Sequence, residues 1–68
     1  MRVLLGYTGA IVEFEEEPKV GDIFSVTRSN LVTSGDRFDD DLFMGPSFRI
    51  TSVTHRGKTT IIGFGTSS

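Results

Sequence analysis

Four groups of residues in this chain have types and spacings that could do chemistry. Gly57-Lys58-Thr59-Thr60 matches the end of a phosphate-binding P-loop. The full pattern needs a glycine five positions earlier, where Ser52 stands, and a strand-loop-helix context. Nucleoside triphosphate hydrolysis is therefore not expected. The same stretch, His55, Arg56 and Lys58 with Arg49 nearby in sequence, is the only basic cluster. A glycine-containing turn with two cations can hold a phosphate or an acidic group through backbone N–H and side-chain donors, which makes a nucleic-acid or nucleotide-phosphate binder one alternative reading. Ser, His and Asp are all present, but no serine has the flanking glycines of a nucleophile elbow. With no cysteine and His55 as the sole histidine, thiol nucleophiles and zinc constellations drop out.

The acids form the other two groups. Asp39-Asp40-Asp41, preceded by Asp36, lacks the alternating ligands, central glycine and closing glutamate of an EF-hand, so calcium is not expected. Leu42-Phe43-Met44 follows at once, with Phe38 just ahead. An apolar triplet behind an acidic one makes an anchor-and-rim arrangement: Phe38, Leu42, Phe43 and Met44 bury in a partner while Asp39, Asp40 and Asp41 steer. Glu13 and Glu15, with Glu16 and Glu17, would line one strand face about 7 Å apart. Paired carboxylates can cleave glycosides, but so small a domain offers little cleft, and a solvated face is the expectation. Together the two clusters could also imitate the phosphates of a nucleic acid. No metal or cofactor is expected.

The chain is 68 residues long with a net charge of −2. That balance disfavours general attraction to nucleic acid or anionic membrane. It conceals a split: residues 1 to 41 carry all nine acids against four bases, and residues 42 to 68 carry three bases and no acid. Such a dipolar chain favours self-association or a partner of complementary charge. Below about 70 to 80 residues a core rarely supplies more than about 3 to 5 kcal/mol, and oligomerisation is one way to add to it. No apolar run is long enough for a membrane helix, and the Met-Arg-Val-Leu-Leu start is too short for a signal sequence, so a cytoplasmic setting is expected.

These groups must be positioned by strands. Val, Ile and Thr make nineteen residues, while Ala occurs once and Gln never; that composition favours a mainly β fold. Five strands are expected, over Arg2 to Tyr7, Ala10 to Glu15, Ile23 to Arg28, Ser47 to His55 and Lys58 to Phe64. Arg56-Gly57 is the clearest hairpin turn. Phe48 and Ile50 lie in one phase and Val53 in the other, which predicts a β-bulge near Thr51 and Ser52. Ile61 and Ile62 point to opposite faces, so one needs cover from another element or subunit. Gly63 and Gly65 suggest a close backbone approach, and Thr66 to Ser68 a frayed end.

Ser29 to Pro46 is long for a connector and therefore suspect as functional. Asp36 could cap a short helix over Arg37 to Met44; the alternative is an extended loop with Leu31 and Val32 pairing at a sheet edge. The expected architecture is one domain over residues 1 to 68: a small five-stranded, strongly bent antiparallel barrel, SH3-like or OB-like, with a short helical or irregular connector between strands 3 and 4. Pro18-Lys19-Val20-Gly21-Asp22-Ile23-Phe24 resembles the strand entries of SH3-like barrels, a resemblance of shape over seven residues that carries no function. The functional expectation is a non-enzymatic protein-binding module acting as a homo-oligomer, of the kind encoded by phages or found among accessory inhibitors and adaptors. A structural assembly subunit is the other alternative.

Overall fold

A computed structural model describes residues 1 to 67. Six strands and one helical turn follow in the order β1 (Arg2–Leu5), β2 (Ile11–Glu13), β3 (Ile23–Ser25), β4 (Leu31–Thr33), α1 (Asp40–Phe43), β5 (Ser47–Arg56) and β6 (Thr59–Thr66). They form one sheet ordered β3-β5-β6-β1-β2-β4, curled into a half-barrel. The fold is mainly β, as composition dictates, with two departures. Strands number six because Leu31, Val32 and Thr33, β-branched or apolar, pair with β2 inside the long connector. One pairing, β1 with β6, is parallel, since the β5–β6 hairpin lays its return strand beside the first strand. Among the described residues no helix is long and apolar enough to cross a membrane.

The β5–β6 hairpin is the longest element. Arg56 pairs with Thr59 across Gly57-Lys58, with Gly57 at φ 59°, a value glycine adopts without a Cβ penalty. The expected bulge is present: the register shifts between Ile50 and Ser52. The extra residue lets Phe48 and Ile50 face inward before it and Val53 after it. Across the bulge, a Cβ on Gly63 would collide with the Ser52 hydroxyl, so the bulge and this glycine belong together. Gly65 faces open space, and the close approach is confined to Gly63. Thr66 lies within β6 and the Ser67 N–H donates to the Ser47 carbonyl at 3.2 Å, so neither residue frays; Ser68 lies outside the described residues.

The outermost strands of the sheet, β3 and β4, are consecutive in sequence, so the Val26 to Asn30 segment must cross the mouth of the curl. Asn30 clamps it. Its side-chain amide donates to the Ser25 carbonyl at 2.9 Å and accepts from the Thr27 N–H at 2.8 Å, while its own carbonyl accepts from the Glu13 N–H at 2.7 Å. One residue thus ties β3 to β2 where no ladder does.

Strand β1 stops at Leu5, short of the expected Tyr7. The Thr8 N–H donates to the Gly6 carbonyl at 2.7 Å, which closes a γ-turn with Tyr7 at φ 52°. Beyond it, Gly9 and Gly35 cross so closely that a Cβ on Gly35 would come within 2.5 Å of the Gly9 carbonyl carbon. The Arg37 N–H then donates to the Thr8 carbonyl at 3.2 Å, leading the connector to α1. That helix is capped by Asp39, not by Asp36: the Asp39 carboxylate accepts from the Asp41 N–H at 2.9 Å. Asp40 and Asp41 occupy its first turn, where carboxylates complement the backbone dipole.

Candidate functional site

The concave face is built in two chemistries. Val3, Leu5, Ala10, Val12, Val26, Ile50 and Ile62 form a fully buried aliphatic cluster. Beside it all six phenylalanines join in one aromatic ribbon. Phe14 meets Phe24 at 5.5 Å between ring centroids, and Phe24 meets Phe48 and Phe64 at 5.7 and 5.8 Å. Phe48 and Phe64 pack edge to face at 5.2 Å, and Phe43 of α1 reaches both at 6.1 and 6.0 Å. Phe38 stacks on Phe43 at 5.3 Å. These separations lie in the favourable range for aromatic pairs, each worth about 0.5 to 1.5 kcal/mol beyond its buried area. Only Phe48 is fully buried; the other five are half-buried, so the ribbon reaches solvent where the half-barrel stays open.

Both ends of the ribbon are acidic. Glu13 and Glu15 flank Phe14, and Asp39, Asp40 and Asp41 lie between Phe38 and Phe43. Of the anchors expected from sequence, Phe38, Phe43 and Met44 turn inward. The two rings join the ribbon, and Met44 packs on the core and bridges to Val26. Leu42 alone projects, 63% exposed, directly behind the three exposed carboxylates. The anchor-and-rim arrangement is thus reduced to one projecting leucine on an aromatic base.

The basic residues are divided. Arg49 faces outward beside Ile23 and Gly65, whereas His55, Arg56 and Lys58 sit at the hairpin tip. Six residue steps along the strand from Arg49 to His55 correspond to roughly 20 Å. His55 is also engaged: its Nε2 lies 3.4 Å from the Glu17 carboxylate and its Nδ1 3.3 Å from the Thr60 hydroxyl. A hydroxyl, an imidazole and a carboxylate are therefore in line. Thr60 is nevertheless buried, with its hydroxyl engaged by His55, so the trio fixes the Glu17 connector to the hairpin tip.

A second feature lay hidden in the sequence. Glu13, Phe14, Glu15, Ile23, Phe24, Ser25 and Asn30 line a groove of about 340 Å³ between the end of β2 and β3. It shares Glu13, Phe14, Glu15 and Asn30 with a neighbouring hollow of about 550 Å³. Ile23 is 53% exposed at its wall. The Glu13 carboxylate lies 2.9 Å from the Met1 ammonium. Phe14 and Phe24 alternate with polar or exposed neighbours, which is the pattern of inward-facing residues; nothing local indicates that the sheet fails to close over them. The usable signal was stoichiometric, six phenylalanines for strands too short to bury them all.

Comparison of the chain with protein-family models, curated proteins and solved structures returns no match. The structure thus defines its class by fold alone, a small mainly β half-barrel.

Proposed function

We propose that this chain is a non-enzymatic protein-binding module, an adaptor or inhibitor that acts on a larger protein. One observation carries the reading: the aromatic ribbon emerges from the core at α1 beneath an exposed leucine and three exposed carboxylates. Rigid rings supporting a projecting apolar side chain, with charges at the rim, are what a partner pocket recognises at low entropic cost. The carboxylates favour a partner with a basic surface around an apolar pocket. The test is capture from extract of the source cells by wild type and by a Leu42→Ser, Asp40→Lys double variant. Both sites are exposed, so the fold tolerates the changes. Loss of captured protein supports the reading; an unchanged set of captured proteins sinks it.

A separate observation favours self-association. On the convex face Ile61, Leu4 and Ile11 are register partners across β6, β1 and β2, and all three are half-buried. This is the side opposite Val3, Leu5 and Ile62, and the aliphatic row is covered only in part by its own chain. A second copy laid over it would make the chain a homo-oligomer or an assembly subunit. Light scattering across a dilution series reads this directly: a mass above one chain that falls on Leu4→Gln supports it, and a monomer at every concentration removes it.

A further inference from the structure

Deepening the protein-binding reading and resting on it, we propose that the groove between β2 and β3 docks an extended segment of a partner protein in which cations alternate with apolar residues. Three observations carry the proposal. First, β3 ends the sheet, so one side of its backbone lacks a strand neighbour among the described residues. The Asn30 amide covers only the Ser25 carbonyl. An incoming extended chain could add along this edge by main-chain hydrogen bonds, with specificity left to alternate side chains. Second, the floor is apolar and preformed: the Phe14 and Phe24 rings touch across the gap at 5.5 Å, and Ile23 stands exposed at the wall. An apolar side chain entering there would cover rings that the fold leaves half in water.

Third, the charge is one-sided and spaced. Glu13, Phe14 and Glu15 all line the groove, the two carboxylates on one side of the extended chain and the ring on the other, and among the described residues no Lys, Arg or His lines it. The complement on an extended strand is cation, apolar residue, cation, since side chains two residues apart recur at about 7 Å. The Glu13 carboxylate holds the Met1 ammonium at 2.9 Å, so an incoming cation there shares or displaces it, whereas Glu15 makes no ion pair among the described residues. No stretch of this chain reads cation, apolar, cation: the only two Lys or Arg residues spaced two apart are Arg56 and Lys58, and Gly57 stands between them. A second copy is therefore a poorer occupant than a foreign segment. The outward-facing β3 edge and the acidic wall together select the ligand by period as well as by charge.

The probe is a fluorescein-labelled heptapeptide alternating lysine with valine, titrated into the full chain with anisotropy and amide chemical shifts as readouts. Saturable binding is expected, with shifts centred on Glu13 to Glu15 and Ile23 to Ser25. A peptide of the same composition with its lysines and valines in separate blocks should bind about tenfold more weakly. The Glu13→Gln, Glu15→Gln double variant should lose about fivefold in affinity, as exposed ion pairs are worth about 0.2 to 1 kcal/mol each. Leu42→Ser should leave the titration unchanged, which separates this groove from the α1 face. Equal binding of the block peptide overturns the proposal, as does the absence of saturable binding. Shifts at Asp39 to Leu42 overturn it while leaving the α1 reading standing. Perturbation of the groove resonances by protein concentration alone would hand the site to a second copy and overturn it too.

Discussion

The two halves of the concave face obey different rules. The aliphatic half draws five of its seven residues from β1, β2, β5 and β6, with Ala10 just before β2 and Val26 just after β3, and every one is buried. The aromatic half holds larger side chains and yet buries only Phe48 completely. The difference follows from sheet order. The aliphatic residues lie mostly on strands with neighbours on both sides, whereas Phe24 and Phe14 stand at the place where the curl stays open. Size does not decide burial here; position relative to the seam does. The aliphatic half fixes the fold, and the aromatic half is the part of the core that a partner can still reach.

The largest test of that contrast sets a small buried residue against a large half-buried one. Ile62→Ala removes methylenes from a site with no solvent, and truncations of this kind cost about 2 to 5 kcal/mol. Phe14→Ala removes more atoms, but a share of them already faces water, so about 1 to 2 kcal/mol is expected, below the usual cost of a buried phenylalanine. Urea midpoints of the two variants decide the matter. A Phe14→Ala loss equal to or above that of Ile62→Ala would mean that the seam is closed in solution. Next in size is Asn30→Ala. It leaves the Thr27 N–H and the Ser25 carbonyl without their partner at the mouth of the curl, for a loss of about 1 to 3 kcal/mol. Its specific sign is faster amide exchange over Ile23 to Ser25 than over Val3 to Leu5, because the clamp holds only the open side.

How far the sequence revealed this contrast depends on the range of the interaction. Alternation within a strand is enough to place Val12 with Phe14, Phe24 with Val26 and Phe48 with Ile50, each pair on one face, and the phase slip after Ile50 located the bulge, since both are local to one strand. The parallel pairing of β1 with β6 and the seam at β3 were not legible, because sheet order depends on contacts between residues far apart in the chain. The connector shows the same division. Its short helix falls where a capping aspartate and an apolar run predicted one, but Asp39 and not Asp36 takes the cap, and Leu31–Thr33 pairs as the edge strand that the alternative expectation described. At the α1 site, acid and apolar triplets were plain in the sequence. That Phe43 and Met44 fold inward and leave Leu42 outside follows from distant partners, the Phe48 and Phe64 rings for Phe43 and Val26 for Met44.

A smaller effect couples the bulge to its glycine. Gly63→Ala should cost about 1 to 2 kcal/mol, because the added methyl meets the Ser52 hydroxyl. Since the obstacle is a side-chain atom, Ser52→Ala should recover most of the loss, and a double-mutant cycle measures the coupling. Gly35→Ala provides the contrast within the same molecule: its obstacles are the Gly9 backbone and the Thr8 carbonyl, and its φ of 72° adds strain, so no single neighbouring truncation restores it.

The smallest expected change has the opposite sign. Tyr7 holds φ 52° at the centre of a γ-turn with its side chain 76% exposed, so its ring contributes little to the core. A non-glycine residue in the left-handed region costs about 1 to 2 kcal/mol, while glycine's greater freedom in the unfolded chain costs about 0.5 to 1. Tyr7→Gly should therefore stabilise the fold by about 0.5 kcal/mol, seen as a small rise in the urea midpoint with the slope unchanged. A loss of stability would place the ring in contact with Arg37 or the Gly35 turn and extend the aromatic half beyond the six phenylalanines.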